Sequence, residues 1–152
     1  MSTTNTLATL AAVFVALYAA HSVGDHWVQT HHQACAKGAP TVAGRLACLR
    51  HVATLTLTKA AALAALALVA DLTLHPITLL TGLIVDALSH YWADRRVTLA
   101  ALAERLGKGD FYHLGAPRPD TADAPHLGTG AYALDQSWHI GFLFIAALII
   151  AT

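Results

Sequence analysis

Charged side chains are scarce in this sequence. Lysine, arginine, aspartate and glutamate make up 12% of the 152 residues, and hydrophobic residues make up 56%. Soluble domains carry roughly 25% charged residues, so this composition excludes an ordinary soluble domain and indicates a membrane protein. The nine basic residues equal the nine acidic ones in number, and they form no basic stripe of the kind that binds nucleic acid. We therefore expect the lipid bilayer, and not nucleic acid, as a partner.

Cysteine is also rare. The two cysteines, Cys35 and Cys48, form no CxxC pair, which excludes a disulfide framework and a cysteine-based zinc motif. An alternative use remains for Cys35, which would help His31 or His32 bind a ligand. The first six residues contain no lysine or arginine, so they lack the charged region of a cleavable signal peptide. The apolar run that follows is expected to stay as a membrane-spanning helix.

Four apolar segments are candidates for membrane crossing, since a span needs about 20 residues. They cover residues 7–29, 45–70, 76–93 and 131–151. A polar connection, residues 30–44, joins the first two, and its Lys37, Gly38 and Pro40 break any helix. The sequence thus predicts a single membrane domain, residues 1–152, with an all-α fold: a polytopic bundle of four transmembrane helices plus a short interfacial helix.

The interfacial helix is predicted at the start of an insert, residues 97–130. Its first ten residues, 97–106, place leucines on one side and charged residues elsewhere, which is the pattern of a helix lying at a membrane surface. The rest of the insert is rich in glycine, proline and aspartate. A loop of this length is usually functional or disordered, and we expect the insert to roof part of the site described next.

The distribution of lysine and arginine predicts the orientation. Basic residues lie in the first and third connections, whereas the N-terminus, the turn at 71–75 and the C-terminus have none. By the positive-inside rule, both termini lie outside the inner membrane and both basic connections lie in the cytoplasm. The basic residues concerned are Lys37, Arg45, Arg95, Arg96, Arg105, Lys108 and Arg118.

Three histidine–aspartate pairs occur at the predicted helix ends. In each pair, His21 with Asp25, His90 with Asp94, and Asp135 with His139, the residues are four apart. On a helix that spacing puts both side chains on one face, where they can chelate a divalent metal as the two histidines of an H-E-x-x-H helix do. The predicted topology brings all three pairs, together with His51, to one depth at the cytoplasmic side.

These acids and imidazoles need partners, because burying an ionisable group in a bilayer costs roughly 2.5–3.5 kcal/mol. A divalent metal would neutralise the carboxylates and bind the neutral imidazoles. The candidate ligands outnumber the four of one zinc, so either two metals lie side by side or one metal is held while some aspartates orient the histidines. Imidazoles and carboxylates without thiolate favour zinc, with iron, manganese or nickel as alternatives. The candidates are His21, Asp25, His51, His90, Asp94, Asp135 and His139.

Two metal-free interpretations stay open: a polar network that fixes helix packing, and a proton or ion relay. Lys59 and Asp86 lie deeper in their spans than the other polar residues and favour a relay. If a metal is present, several further side chains are expected to orient its ligands or contact a substrate. These are Gln29, Asp86, Arg95, Arg96 and Gln136.

The combined order of polar residues resembles a family of small bacterial and phage integral-membrane proteins classified as a domain of unknown function. This resemblance implies a shared architecture and a shared polar site, and no activity. A looser similarity, limited to His and Asp pairs at helix ends, is to the bacterial membrane-bound metal-dependent hydrolases. The order is His21-x-x-x-Asp25-x-x-x-Gln29, His51, His90-x-x-x-Asp94-Arg95 and Asp135-Gln136-x-x-His139.

The functional hypothesis is a metal-dependent hydrolase of a phosphoester or lipid-like substrate that arrives from the inner leaflet. The metal would lower the pKa of a bound water towards about 7, and Asp94 or Asp135 would take the proton. Arg95 or Arg96 would hold the phosphate. Water is the expected nucleophile because no serine or cysteine nucleophile motif is visible. The alternative is a non-enzymatic membrane protein, either a relay or a metal-stabilised structural subunit.

Overall fold

A computed structural model describes residues 3–117 and 128–152, with side chains from residue 6 onward. The described residues form helices and no strands, which confirms the all-helical prediction for this part of the chain. Arg118, part of the topology argument, lies outside the described residues, as does the insert from 118 to 127. The helices are α1 (Thr3–Val23), a π-helical turn (Gly24–Val28), α2 (His31–Ala36), α3 (Val42–Val69), α4 (Pro76–Asp94), α5 (Val97–Arg105), α6 (Gly109–Tyr112) and α7 (Gly130–Ile150).

Three stretches are long and apolar enough to cross a membrane: Thr6–Val28, Val42–Val69 and Gly130–Ile150. Their length and apolar composition indicate a membrane protein, in agreement with the composition of the whole sequence. Helix α4 is not among them, because its 19 residues include Asp86, His90 and Asp94. A fourth span at α4 therefore stays a prediction.

Polar caps fix where the shorter connections end and the helices begin. Thr30 and Gln33 form a reciprocal capping box at the start of α2, with Gln33 N donating to Thr30 Oγ1 at 3.2 Å and Thr30 N donating to Gln33 Oε1 at 2.8 Å. Thr129 caps α7 in the simpler way, accepting from Tyr132 N at 3.1 Å. The expectation that residues 30–44 hold no helix was wrong. The capping box starts the short helix α2, which ends before Lys37, Gly38 and Pro40.

The apolar core lies in one half of the bundle, where α1, α3, α4 and α7 meet. Helix α4 packs most extensively against α7, and Gly82 makes that approach close: a Cβ at this position would lie 2.6 Å from Ile150 Cγ1 and 2.9 Å from the Ala146 carbonyl oxygen. Small residues are what allow membrane helices to pack this closely. The buried core residues are Val13, Leu17, Leu63, Leu83, Leu143, Ala146, Ala147 and Ile150.

Candidate metal centre

The seven predicted ligands lie together in the other half of the bundle. Four α-helices and the π-helical turn contribute them, which makes the cluster a product of the tertiary fold and not of one local motif. Five of the seven expose 1% of their surface or less; the side chain of Asp25 exposes 8% and that of Asp135 exposes 25%. His21 comes from α1, Asp25 from the π-helical turn, His51 from α3, His90 and Asp94 from α4, and Asp135 and His139 from α7.

Four of these side chains form an inner group, namely Asp25, His51, His90 and Asp94. The Nε2 atoms of His51 and His90 are 3.1 Å apart. Asp94 Oδ2 lies 3.3 Å from the first of these nitrogens and 3.2 Å from the second, and Asp25 Oδ1 lies 3.0 Å and 3.6 Å from the same two. Each imidazole nitrogen of the inner group therefore lies 3.0–3.6 Å from the other nitrogen and from one oxygen of each carboxylate.

Such separations fit ligands around one metal ion. Zinc–nitrogen and zinc–oxygen bonds of roughly 2.0–2.2 Å place neighbouring ligand atoms roughly 2.8–3.6 Å apart in tetrahedral or octahedral geometry. Within the described residues, three overlapping groups have ligand atoms close enough to hold an ion. They are Asp25 with His90 and His139, His51 with His90 and Asp94, and Asp94 with Asp135 and His139.

The remaining ligands form an outer group around His139. Its Nε2 is 3.4 Å from Asp135 Oδ1 and 3.9 Å from Asp94 Oδ1, and its ring stacks on that of His90 with centroids 3.9 Å apart. His21 Nε2 is 3.5 Å from Asp25 Oδ2. Asp25 and Asp94 therefore each turn one oxygen to the inner group and the other to the outer group.

Several buried polar atoms in the cluster have no hydrogen-bond partner in the described part of the chain. These include both ring nitrogens of His21 and of His139. Asp25 Oδ1 and Asp94 Oδ2 also count among them, because their short contacts with imidazole Nε2 atoms lack hydrogen-bond geometry. A buried polar atom without a partner costs about 1–3 kcal/mol, and a metal-free network would be expected to pair such atoms. The carboxylate oxygens face Nε2 of the imidazoles, and the Nδ1 atoms of all four histidines are unpartnered among described residues.

The π-helical turn positions Asp25. Its wider ring is closed by Gln29 N, which donates to the Gly24 carbonyl at 2.9 Å. Gly24 is buried against Leu55 of α3, where a Cβ would collide with the leucine side chain. Single π turns inside helices are rare and occur mostly at functional sites. This turn lets the helix approach α3 closely enough for Asp25 to reach His51.

A sequence model described as "Protein of unknown function (DUF3307)" matches residues 13–152. The chain belongs to the DUF3307 family. No curated protein and no solved structure matches the chain. The family match supports the resemblance to uncharacterised proteins that the order of polar residues indicated, and it extends over every ligand of the cluster.

The DUF3307 chain also places in the cluster a lysine that the sequence indicated only as a helix breaker and a topology signal. Lys37 Nζ lies 2.8 Å from Asp94 Oδ1, and the lysine side chain is 11% exposed. A polar connection gave no signal for this contact, because Lys37 reaches Asp94 only through the placement of α2 beside α3. Among the described residues, Asp25 and Asp135 pair with histidines and with no lysine or arginine.

A cavity of about 480 Å³ opens above the carboxylates of the cluster. Asp25, Asp94 and Asp135 form part of its wall, with Lys37 and Arg96 as the cations beside them. The segment predicted to roof the site supplies Leu99, Tyr112 and Thr129 to this wall. The other polar side chains are His26, Gln29, Tyr132 and Gln136. The cavity thus places anionic metal-ligand candidates and cationic side chains around one space.

The two neighbouring arginines have different surroundings. The Arg95 guanidinium donates to the carbonyl oxygens of Lys37 and Ala39, so it braces the chain after α2. Arg96 is exposed, lines the cavity, and donates to the Ala34 carbonyl at 3.1 Å. It also has a φ of +57°, a backbone region that costs about 1–3 kcal/mol for a residue with a side chain.

Three further residues that the sequence singled out take different positions. Asp86 does not reach the cluster: its Oδ2 accepts from Lys59 Nζ at 2.6 Å, and both side chains are almost completely buried. Gln136 Nε2 donates to Asp135 Oδ2 at 3.3 Å. Gln29 lines the cavity, and its Nε2 has no partner among the described residues. On the cavity wall, burial raises the pKa of Tyr112 above its ordinary value.

Proposed function

We propose that this DUF3307 protein is a membrane-embedded metal protein that hydrolyses an anionic phosphoester. The observation that carries the proposal is the inner group, in which two buried imidazole nitrogens lie 3.1 Å apart and each lies 3.0–3.6 Å from one oxygen of both carboxylates. Zinc is the ion that this donor set favours, since it contains imidazoles and carboxylates and no thiolate. The cavity above it, lined by Lys37 and Arg96, supplies a binding place for an anion.

The geometry favours aspartates as ligands over aspartates that orient histidines. An orienting carboxylate would accept from the histidine nitrogen that does not bind metal. Here the carboxylates face the same Nε2 atoms that would bind the ion, and the Nδ1 atoms have no partner among described residues. We propose one ion at Asp25, His51, His90 and Asp94. A second ion beside His139 would compete with Lys37 for Asp94 Oδ1.

Different residues of the site would take different roles in the reaction. An ion in the inner group would polarise the phosphoryl oxygen and acidify water. Lys37 and Arg96 would hold the phosphate, and Asp135, the most exposed acid of the cluster, would take a proton from the attacking water. The water oxygen forms a bond to phosphorus, the ester P–O bond breaks, and Asp135 returns the proton to the leaving alcohol. Asp94 is engaged by Lys37 and two histidines, so Asp135 is the better proton acceptor of the two predicted.

The membrane arrangement belongs to the same proposal. Helix α4 would be a fourth span, buried against α7, and the basic residues around α2 and α5 would place the cluster at the cytoplasmic side of the inner membrane. Both termini would then lie outside. Helix α5 would rest at the membrane surface, and a substrate would reach the cavity from the inner leaflet.

The test is metal content and hydrolysis measured on the same preparation. We expect protein purified without chelators to carry about one divalent ion per chain, and to hydrolyse p-nitrophenyl phosphate in a reaction that a chelator abolishes and zinc restores. Asp135→Asn should lower kcat about 100-fold, which is the scale of losing a general base, while keeping the ion. The proposal would be contradicted if the purified protein lacked stoichiometric metal, or if hydrolysis persisted in the presence of the chelator.

The neighbouring arginines provide a second prediction with a built-in control. Arg96→Gly should weaken binding of inorganic phosphate by about tenfold, the value of one charge-assisted contact. It should not lower stability, because glycine accepts a positive φ without strain. Arg95→Gln should do the reverse, lowering the unfolding midpoint through two lost carbonyl bonds while leaving phosphate affinity unchanged. Titration calorimetry and thermal unfolding measure the two effects, and equal behaviour of the two variants would exclude the assigned roles.

A non-enzymatic relay is the second candidate, and the buried Lys59–Asp86 pair is the observation that favours it. In that case liposomes containing the protein should conduct protons or metal ions. Asp86→Asn should abolish the flux and His21→Ala should leave it intact. If the liposomes showed flux and the protein showed no metal-dependent hydrolysis, the relay would replace the enzyme as the proposed function.

A further inference from the structure

A second cavity, of about 350 Å³, lies between α5 and α7. Its wall is almost entirely apolar, and we call it the α5–α7 groove. Along α7 the groove runs from Leu134 to Ile145, which is roughly 16 Å at 1.5 Å per residue. Its lining residues are Leu99, Leu102, Ala103, Leu106, Lys108, Leu134, Ser137, Trp138, Gly141, Phe142 and Ile145.

The groove begins beside the candidate metal centre. Leu99 belongs to the walls of both cavities, and Leu134 of the groove is adjacent in sequence to Asp135 of the site. From there the groove follows α7, one of the helices long and apolar enough to cross a membrane, towards its C-terminal half. A single elongated molecule could therefore occupy the polar cavity with one end and the groove with the other.

The charged side chains near the polar cavity and the α5–α7 groove indicate which end of such a molecule would carry charge. Of the described residues that line the groove, Lys108 alone is charged, and Lys37 and Arg96 lie in the polar cavity. A ligand with an anionic head and an apolar tail matches this order of cations followed by an apolar channel. The rest of the groove offers a tail only dispersion and burial, the contacts that favour an alkyl chain.

The aromatic wall of the groove adds a polar atom that needs an acceptor. Trp138 stacks on Trp92 with ring centroids 4.7 Å apart and packs on Phe142 at 4.9 Å, so its indole is held in place from both sides. Its Nε1 is buried and has no acceptor among the described residues. A buried indole N–H usually has a partner; a lipid ester carbonyl would become that partner if the ring turned its Nε1, closed to solvent in this structure, towards the groove.

We propose that the α5–α7 groove binds the acyl chain of an anionic glycerophospholipid whose phosphate lies in the cavity above the metal centre. This inference rests on the proposed function and names its substrate class: a lipid phosphoester taken directly from the bilayer. The acyl chain fixes the molecule along α7, and the phosphate comes to lie between Lys37, Arg96 and the carboxylates. Soluble phosphoesters lack the tail and bind through the head alone.

Gly141 offers a variant that fills the groove without disturbing the fold. It lines the groove, and a Cβ at this position would meet nothing within 4 Å. Gly141→Leu should therefore place its side chain where the acyl chain would lie, and leucine is a better helix former than glycine. Ala64→Leu is the matched control, because Ala64 is an exposed residue of α3 outside both cavities.

Native mass spectrometry of detergent-solubilised, metal-loaded protein tests the proposal with dipalmitoyl phosphatidic acid as the probe. The wild type and Ala64→Leu should retain one lipid, and Gly141→Leu should retain it at least about tenfold less, since several methylenes lose their contacts. Dihexanoyl phosphatidic acid should be retained weakly by all three. Equal retention by wild type and Gly141→Leu, or a dimer that Gly141→Leu abolishes, would overturn the assignment of a lipid to the groove.

The same samples separate this inference from the enzyme proposal. Metal content and hydrolysis of p-nitrophenyl phosphate should be equal in wild type and Gly141→Leu, because the small ester does not use the groove. Lipid retention that depends on an open groove supports the acyl site even where no metal or hydrolysis is found. Metal-dependent hydrolysis without groove-dependent retention overturns the acyl site and leaves the enzyme proposal standing.

Discussion

His90→Ala is expected to abolish stoichiometric metal binding. His90 Nε2 lies within 3.6 Å of both inner carboxylates and 3.1 Å from His51 Nε2, so its removal opens the centre of the proposed ligand set. Losing a residue that only orients a ligand weakens metal binding about 10–100-fold, and losing the ligand itself should exceed about 100-fold. Competition with a chromogenic zinc chelator measures the affinity.

His75→Ala is the matched control for this variant. His75 precedes the same helix at its opposite end, is exposed, and makes no side-chain cap hydrogen bond. A ligand that binds only the folded state raises the unfolding midpoint, so zinc should stabilise the wild type and His75→Ala but not His90→Ala. If His90→Ala kept its ion with unchanged affinity, the inner group would not be the metal centre.

Lys59→Met is expected to destabilise the protein by about 3–5 kcal/mol, the scale of breaking a buried ion pair. The lysine side chain is 0% exposed and its Nζ lies 2.6 Å from Asp86 Oδ2. The variant leaves the Asp86 carboxylate buried without its cation, whereas methionine fills nearly the same volume. Unfolding of the purified protein in mixed micelles measures the change.

The double variant Lys59→Met with Asp86→Leu shows whether the loss comes from the unpaired charge. Replacing both members of a buried pair by apolar residues is often neutral or stabilising, so the double variant should recover most of the lost stability. It should also keep its metal, because neither side chain contacts the inner group in the described structure. A double variant as unstable as Lys59→Met would mean that packing, and not charge, makes the pair important.

The convergence of the ligands was predictable from two sequence features. His90 and Asp94 share one helix face because they are four residues apart, which follows from helix geometry alone. The predicted common depth of the polar side chains follows from where lysines and arginines interrupt the apolar segments. Both are local properties of the chain. Together they were sufficient to predict that His21, His51 and His139 lie at one end of the bundle, where the structure has them.

Contacts made by the connections were not predictable in the same way. The π turn at Gly24 depends on the close approach of Leu55, and the contact of Lys37 with Asp94 depends on where a capped six-residue helix rests on α3. Arg95 and Arg96 are consecutive arginines, so the sequence offers no reason to assign them different roles. The structure distinguishes them: Arg95 binds two backbone carbonyls, whereas Arg96, which has a positive φ, binds one and lines the cavity.

The close seam between α4 and α7 has a consequence for how the protein is made. Gly82 fits against Ala146 and Ile150 of α7, and α7 leaves the ribosome after α4. Until then the polar face of α4, with His90 and Asp94, lacks its largest covering surface. If α4 spans the bilayer as proposed, its stable integration depends on the later synthesis of α7, and chains that end before α7 should be substrates for membrane quality-control proteases.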